Sequence, residues 1–305
     1  MEPRGMRAVK NRKKTVGVVG LGIMGGAFAR NLVGAGWRVI GYDIDPTKRR
    51  ELAKAGVEIA TDVAALAAAA PLIITSLPKP AALMATAKTI AASGVRSRVI
   101  AECSTFTIED KQKAERVLRD AGHVLLDCPV SGTGSQARTG DLVIYASGDS
   151  KAIARFKPVF AGFARKTYDV GAFGNGSRMK FVANLLVAIN NVAAAEAMVL
   201  GMKAGLDPKA IFEMISNGAG NSRVFELRAP MMVRNRYRPA TMKCSVWQKD
   251  MDVIGAFAKS LRVPTPLFSA TVPIYEAALR SGHANDDTAA VCAVLEAKAR
   301  LKRRR

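Results

Sequence analysis

Histidine, cysteine and acidic residues are all scarce in this chain. Its 305 residues hold two histidines, four cysteines and 25 Asp and Glu against 46 Lys and Arg. His123 and His283 stand far apart, and Cys103, Cys128, Cys244 and Cys292 form no C-x-x-C pair. With no ligand group at metal spacing, no metal is expected, and the cysteines read as reduced core residues. No continuous apolar run reaches the ~18 residues of a bilayer span, so no membrane partner is expected. The opening MEPRGMRAVKNRKK is basic but lacks the apolar segment of a secretory signal, which makes the cytoplasm the expected location. Aromatics are only 6% of residues, and neither zinc-finger spacing nor an aromatic-rich RNA-binding signature occurs.

The shortage of acid leaves a formal net charge of +21, which first raises nucleic acid as a partner. The distribution argues against it. Residues 1–14 hold six basic residues against one acid, and residues 298–305 hold six more, so two basic tails carry eleven of the surplus. Such end runs are normally solvated. Nucleic acid is therefore not the expected partner, and the charge left on the body reads either as ordinary solvated surface or as a means of concentrating an anionic substrate or cofactor.

What is present is an apolar fraction of 49% in a chain long enough for two domains of roughly 100–200 residues. TVGVVG (15–20) is a β-branched run suited to a buried parallel strand, and AFARNLVGAG continues as a helix closed by Gly34 and Gly36. WRVIGYD, VEIA, PLIITSLP, SRVIAECS, HVLLDCPVS and DLVIYASG read as further strands, with helical stretches such as VAALAAAA and IEDKQKAERVLRDAG between them. This alternation predicts a parallel sheet with helices on both faces. After GAFGNGS (171–177) no strand pattern remains, and residues 178–204 form one long apolar helical stretch. The expected fold class is thus α/β. An N-terminal Rossmann doubly wound sheet over 15–177 precedes an all-helical domain over 178–297, and basic tails cover 1–14 and 298–305. A helix so apolar needs covering, and a homodimer or homotetramer is one way to cover it.

Gly20-Leu21-Gly22-Ile23-Met24-Gly25 fits G-x-G-x-x-G where a strand gives way to a helix, the setting that gives this motif meaning. The first Gly allows the tight turn, the second lets backbone approach a pyrophosphate, and the third lets helix and strand pack closely. Asp43 ends the second strand, 21 positions after Gly22, where a carboxylate would accept the adenosine ribose hydroxyls. The same carboxylate would repel a 2′-phosphate. NAD is therefore expected over NADP, although Lys48, Arg49 and Arg50 stand nearby.

Taken together, several blocks resemble the β-hydroxyacid dehydrogenase family. They are Gly20–Gly25, Glu102-Cys103-Ser104-Thr105, Asp127-Cys128-Pro129-Val130-Ser131-Gly132, Gly171–Gly176 with Lys180 and Asn184, and Lys249-Asp250. The resemblance spans about residues 15–296. It implies hydride transfer between NAD and the carbinol carbon of a small hydroxy acid, of 3-hydroxyisobutyrate, glycerate or threonate type. It further implies that Leu77, Pro78, Thr105 and Lys249 lie along the cofactor, and that Ser131 and Gly132 anchor the substrate carboxylate. Lys180 would be the acid/base, and Asn184 would orient the substrate from the same helix face. Glu102 replaces the usual Asp, and Thr133 replaces a usual Gly beside the carboxylate anchor. Gly220-Asn221-Ser222, with Phe225-Glu226 and Arg228, resembles the branch acting on sugar acids. Asn221 and Ser222 would then bind extra hydroxyls, or they form a helix-terminating turn.

A hydroxyl proton must go somewhere when hydride leaves its carbon. His123 and His283 accompany no substrate-type motif, whereas a desolvated lysine can have its pKa lowered toward working pH. Two other readings share the fold. One is a non-catalytic nucleotide-binding protein with a basic nucleic-acid surface; the other is an imine or ketone reductase, which should lack the carboxylate anchors.

Overall fold

The computed structural model describes residues 14–303. They form two compact units. The first comprises the chain up to Ser104 with Glu109–Gly132 and Gln136–Gly174; the second comprises Thr105–Ile108, Thr133–Ser135 and everything from Asn175 on.

In the first unit, β1 (Thr15–Val19), α1 (Ile23–Gly34), β2 (Arg38–Tyr42), α2 (Pro46–Ala53), β3 (Glu58–Ile59) and α3 (Val63–Ala69) follow in turn. Next come β4 (Leu72–Thr75), α4 (Pro80–Ala92), β5 (Val99–Glu102), α5 (Ile108–Asp120) and β6 (Val124–Asp127). These six strands pair in parallel in the order β3-β2-β1-β4-β5-β6. Parallel strands covered on both faces must be apolar throughout, and Val16, Val18, Ile73, Ile74, Val99 and Ile100 are buried. Helix starts are fixed locally: Asp45 accepts the Thr47 N–H at 2.7 Å with Pro46 in the first turn, and Asp62 accepts the Ala65 N–H at 2.8 Å. The strand order reverses between β1 and β4, and ligands of such sheets bind in the crevice beyond the strand ends there.

The expectation of one parallel sheet needs correction. HVLLDCPVS is two strands, because Pro129 has no N–H with which to continue the ladder. β6 stops at Asp127, and β7 (Val130–Ser131) joins a separate three-stranded sheet. Past α6 (Gly134–Arg138), β8 (Val143–Ala146) runs antiparallel to β7. After α7 (Ser150–Phe160), β9 (Lys166–Asp169) runs parallel to β8. β9 was not foreseen: KTYD is largely exposed and carries no apolar alternation.

The second unit is helical. α8 (Asn175–Lys203) begins three residues before the predicted start, and α9 (Pro208–Ser216), α10 (Arg223–Arg234), α11 (Cys244–Ser260), α12 (Pro266–Arg280) and α13 (Val291–Lys298) surround it. α10 and α12 are not evident in the spacing, and each contains an interior proline, Pro230 and Pro273. By length and composition α8 could cross a bilayer, contrary to the count of continuous apolar residues. Its role here is central packing: Phe181, Ala188, Val192, Ala195 and Met198 sit in one core with Phe225, Met232, Trp247, Met251, Phe268 and Tyr275. The C-terminal tail also departs from expectation. Arg303 folds back, donating to the Val233 carbonyl at 3.0 Å and the Met232 carbonyl at 2.6 Å and pairing with Glu296. The basic tail at 1–14 lies, up to residue 13, outside the described residues.

Candidate active site

The nucleotide end is built by the turn after β1. Gly20 has φ +89°, and a Cβ there would stand 2.1 Å from the Ser76 carbonyl oxygen. A Cβ on Gly25 would stand 1.9 Å from the Gly20 oxygen, so both positions exclude every other residue. Gly22 differs: nothing lies within 4 Å of its Cβ position, and it is exposed. Its smallness is not demanded by the protein's own packing, which fits a backbone left bare for a ligand. Gly22 is also the N-cap of α1 and offers no side-chain cap, so the first amides of that helix are left for an anion.

Asp43 holds this turn from β2. Its Oδ2 accepts the Leu21 N–H at 2.7 Å and its Oδ1 accepts the Asp45 N–H at 2.8 Å. A carboxylate has about four acceptor sites, so ribose hydroxyls can still be accommodated. Leu21 is itself a core residue with its N–H committed to Asp43. Within the motif, the backbone of Gly22, Ile23 and Met24 is what remains for phosphate. At the end of β4, Leu77 donates its N–H to the Ser104 hydroxyl at 2.8 Å, which fixes the Leu77-Pro78 turn. These residues fit a dinucleotide.

Ser131 and Gly132 follow at the end of β7. Gly132 has φ +137°, and a Cβ there would meet Leu142 at 2.5 Å, so Gly is required. The Thr133 hydroxyl is 2.7 Å from that of Ser135.

The second unit holds the candidate proton-transfer group. Lys180 and Asn184 share one face of α8 and are 8% and 3% exposed. Burial lowers the pKa of Lys180 to about 8; nearby Asp250 pulls it up and Lys249 pushes it down. Asn184 donates its amide to Asp250 at 3.0 Å, and burial raises the pKa of that carboxyl against the pull of Lys249 and Lys180. Lys249 donates to the Thr105 carbonyl at 2.6 Å, lies 3.4 Å from Asp250 and sits over the Phe106 ring at 5.1 Å. The fold therefore brings Lys180, Asn184, Lys249 and Thr105 together, with Asp250 as the buried anion among them. Asp250 carries no predicted role in the sequence, where a carboxylate following Lys249 is its only signal.

Asn221 and Ser222 have structural partners. The Ser222 hydroxyl accepts the Phe225 N–H at 3.0 Å as the N-cap of α10. The Asn221 amide donates to the Ser216 carbonyl at 2.9 Å and to Glu226 at 2.8 Å. Arg228, on the same helix, pairs with buried Asp287, which also accepts the Thr241 and Met242 N–H groups. His123 is a buried acceptor for the Arg98 N–H at 3.1 Å, and His283 contacts Asp286 at 2.7 Å. All four cysteines are free and buried. Among the described residues no group of three His, Cys, Asp or Glu could hold a metal ion. A buried triad, Lys111 with Glu102 and Asp127, was not foreseen.

The doubly wound sheet with its bared helix terminus fits an enzyme of the nicotinamide-dinucleotide class. Residues 15–171 match the NAD binding domain of 6-phosphogluconate dehydrogenase, and residues 174–295 match the NAD-binding of NADP-dependent 3-hydroxyisobutyrate dehydrogenase. An L-threonate dehydrogenase of Cupriavidus necator is 31% identical over 91% of this chain and 95% of its own. An L-threonate dehydrogenase of Pectobacterium atrosepticum is 32% identical over 92% of this chain and 94% of its own. The solved 3-hydroxyisobutyrate dehydrogenase of Salmonella typhimurium superposes with a TM-score of 0.84 at 29% identity, covering 92% of this chain and 99% of that one. This chain belongs to the β-hydroxyacid dehydrogenase family. It is an oxidoreductase acting on the CH–OH group of a hydroxy acid with a nicotinamide cofactor.

Proposed function

We propose that the chain oxidises a small sugar acid of the threonate class with NAD, and that Lys180 takes the hydroxyl proton. The observation that carries the reading is the buried Lys180, with its pKa brought down to about 8 beside Asn184 and Asp250. A lysine in water is almost wholly charged at neutral pH and could not act as a base. Desolvation supplies the neutral form near working pH. In the reverse direction the ammonium gives its proton to the forming alkoxide. The family resemblance assigns the substrate carboxylate to Ser131 and the Gly132 N–H, and the substrate's orientation to Asn184. The Thr133 side chain would narrow the range of acids accepted.

Gly22, Ile23, Met24, Asp43, Leu77, Pro78 and Thr105 would hold the cofactor, which when bound takes up the hydride. Asp43 favours NAD because its charge opposes a 2′-phosphate. Among the nearby cations, Lys48 lies 3.5 Å from Glu51, Arg49 lies 6.0 Å from the Tyr42 ring centroid, and Arg50 donates to Thr47. The threonate class is favoured by the activity named for the relatives above.

The test is nicotinamide reduction with NAD and NADP separately, against threonate, erythronate, glycerate, 3-hydroxyisobutyrate and 4-hydroxybutyrate. The reading expects turnover with NAD and a four-carbon sugar acid. Turnover only with 3-hydroxyisobutyrate, or only with NADP, would replace the substrate or cofactor assignment.

A further inference from the structure

A charge cluster lies buried at the carboxyl ends of β5 and β6. Lys111, in the first turn of α5, has its ammonium 2.7 Å from Glu102 and 2.7 Å from Asp127, and all three are fully buried. Glu102 and Asp127 are the last residues of their strands and stand opposite each other in the parallel register. Burial opposes the charge on Lys111, but Asp127 and Glu102 outweigh it and its pKa rises. Such a cluster is a poor way merely to hold two strands together, because apolar residues of the same size commonly do so at least as well.

The two carboxylates are not equivalent. Asp127 has support of its own: the Ser147 hydroxyl donates to its carbonyl at 3.0 Å and to its carboxylate at 3.3 Å, and the two backbones exchange hydrogen bonds. Glu102 is tied instead to the loop that follows β5. Its Oε1 accepts the Ser104 N–H at 2.9 Å, and the Ser104 hydroxyl accepts the Leu77 N–H at 2.8 Å. A continuous polar chain therefore runs from Lys111 through Glu102 and Ser104 to the Leu77 backbone, beside the strand-order reversal.

We propose that Lys111 is a positioning residue for the nicotinamide cofactor, fixing the Leu77-Pro78 turn through Glu102 and Ser104 and so setting cofactor affinity. The inference rests on the reading that Leu77 and Pro78 contact the cofactor. Lys111→Met keeps the stem volume and removes the cation. Glu102 then loses its ion-pair partner, which loosens its hold on Ser104. Ser104→Ala removes the next link while leaving the triad intact.

The experiment measures the Kd for NADH by nicotinamide fluorescence, alongside the thermal midpoint, for both variants, their double variant and Leu77→Ala. Lys111→Met and Ser104→Ala are each expected to weaken NADH binding about tenfold. Because both act along one chain, the double variant should be no weaker than Lys111→Met alone. A purely structural Lys111 would lower the thermal midpoint and leave the Kd unchanged, and that result overturns the proposal. Multiplying effects in the double variant would overturn it as well. If Lys111→Met does not fold, Glu102→Gln replaces it with the same expectation against Ser104→Ala. Unchanged NADH binding in Leu77→Ala removes the underlying reading and the inference with it. Weakened binding in Leu77→Ala beside normal binding in the other variants removes the inference alone.

Discussion

Lys180 shows how strongly its surroundings can retune a single side chain. Its ordinary pKa of 10.5 falls to about 8 because burial disfavours the ammonium more than Asp250 supports it. The sign of the pH dependence follows. With Lys180 in its proposed role, oxidation would use the neutral amine, so its rate should rise as pH passes through about 8 and level off above; reduction would use the ammonium and should fall across the same range. Asp250→Asn removes the group that holds the pKa up, and the limb should move to lower pH. A limb that stays in place in that variant would show that Asp250 does not act on the titrating group. Steady-state rates between pH 6 and 10 in both directions read this out.

At the scale of elements, Ser222 illustrates a residue with two candidate duties. Its hydroxyl caps α10, so Ser222→Ala should cost about 1 kcal/mol of stability, read by denaturant unfolding. With the hydroxyl thus committed, the KM for a four-carbon acid should stay unchanged; a large rise would return Ser222 to the substrate site. The same scale shows what could be read in advance. The β-branched strands and the glycine turn were legible because burial on both faces and close backbone approach leave few residue types to choose from. Lys180 and Asn184 were legible through the family resemblance and their one-turn spacing. β9 was not, because an exposed edge strand has no periodic pattern. α10 and α12 were masked by interior prolines. The Lys111 triad was hidden for a different reason: strand pairing and a helix turn assemble it from positions that no local pattern connects, and isolated charges read as surface.

Across the whole molecule, charge and apolar surface point in different directions. The Arg303 that sequence assigned to a solvated tail is spent on Glu296 and the last carbonyls of α10, where a helix C-terminus attracts cations. On α8, Val182 and Leu186 stay about half exposed and Leu200 is 73% exposed. Val182 and Leu200 lie five turns apart at 3.6 residues per turn, which places them on one face with Leu186 a turn along it. That stripe should be covered by a second copy of the chain. Light scattering at micromolar concentration should give at least twice the 32.4 kDa chain mass, and a monomer would refute it.

The central claim is that Lys180 moves the proton. Lys180→Ala should therefore lower turnover with the accepted hydroxy acid by roughly 10²–10⁴-fold, the range for a lost general acid or base. NADH binding, measured on the same sample, should stay within about twofold of the parent, since the change removes chemistry and not the cofactor site. Turnover near that of the parent, with cofactor still bound, would contradict the account and place the acid/base elsewhere in the chain.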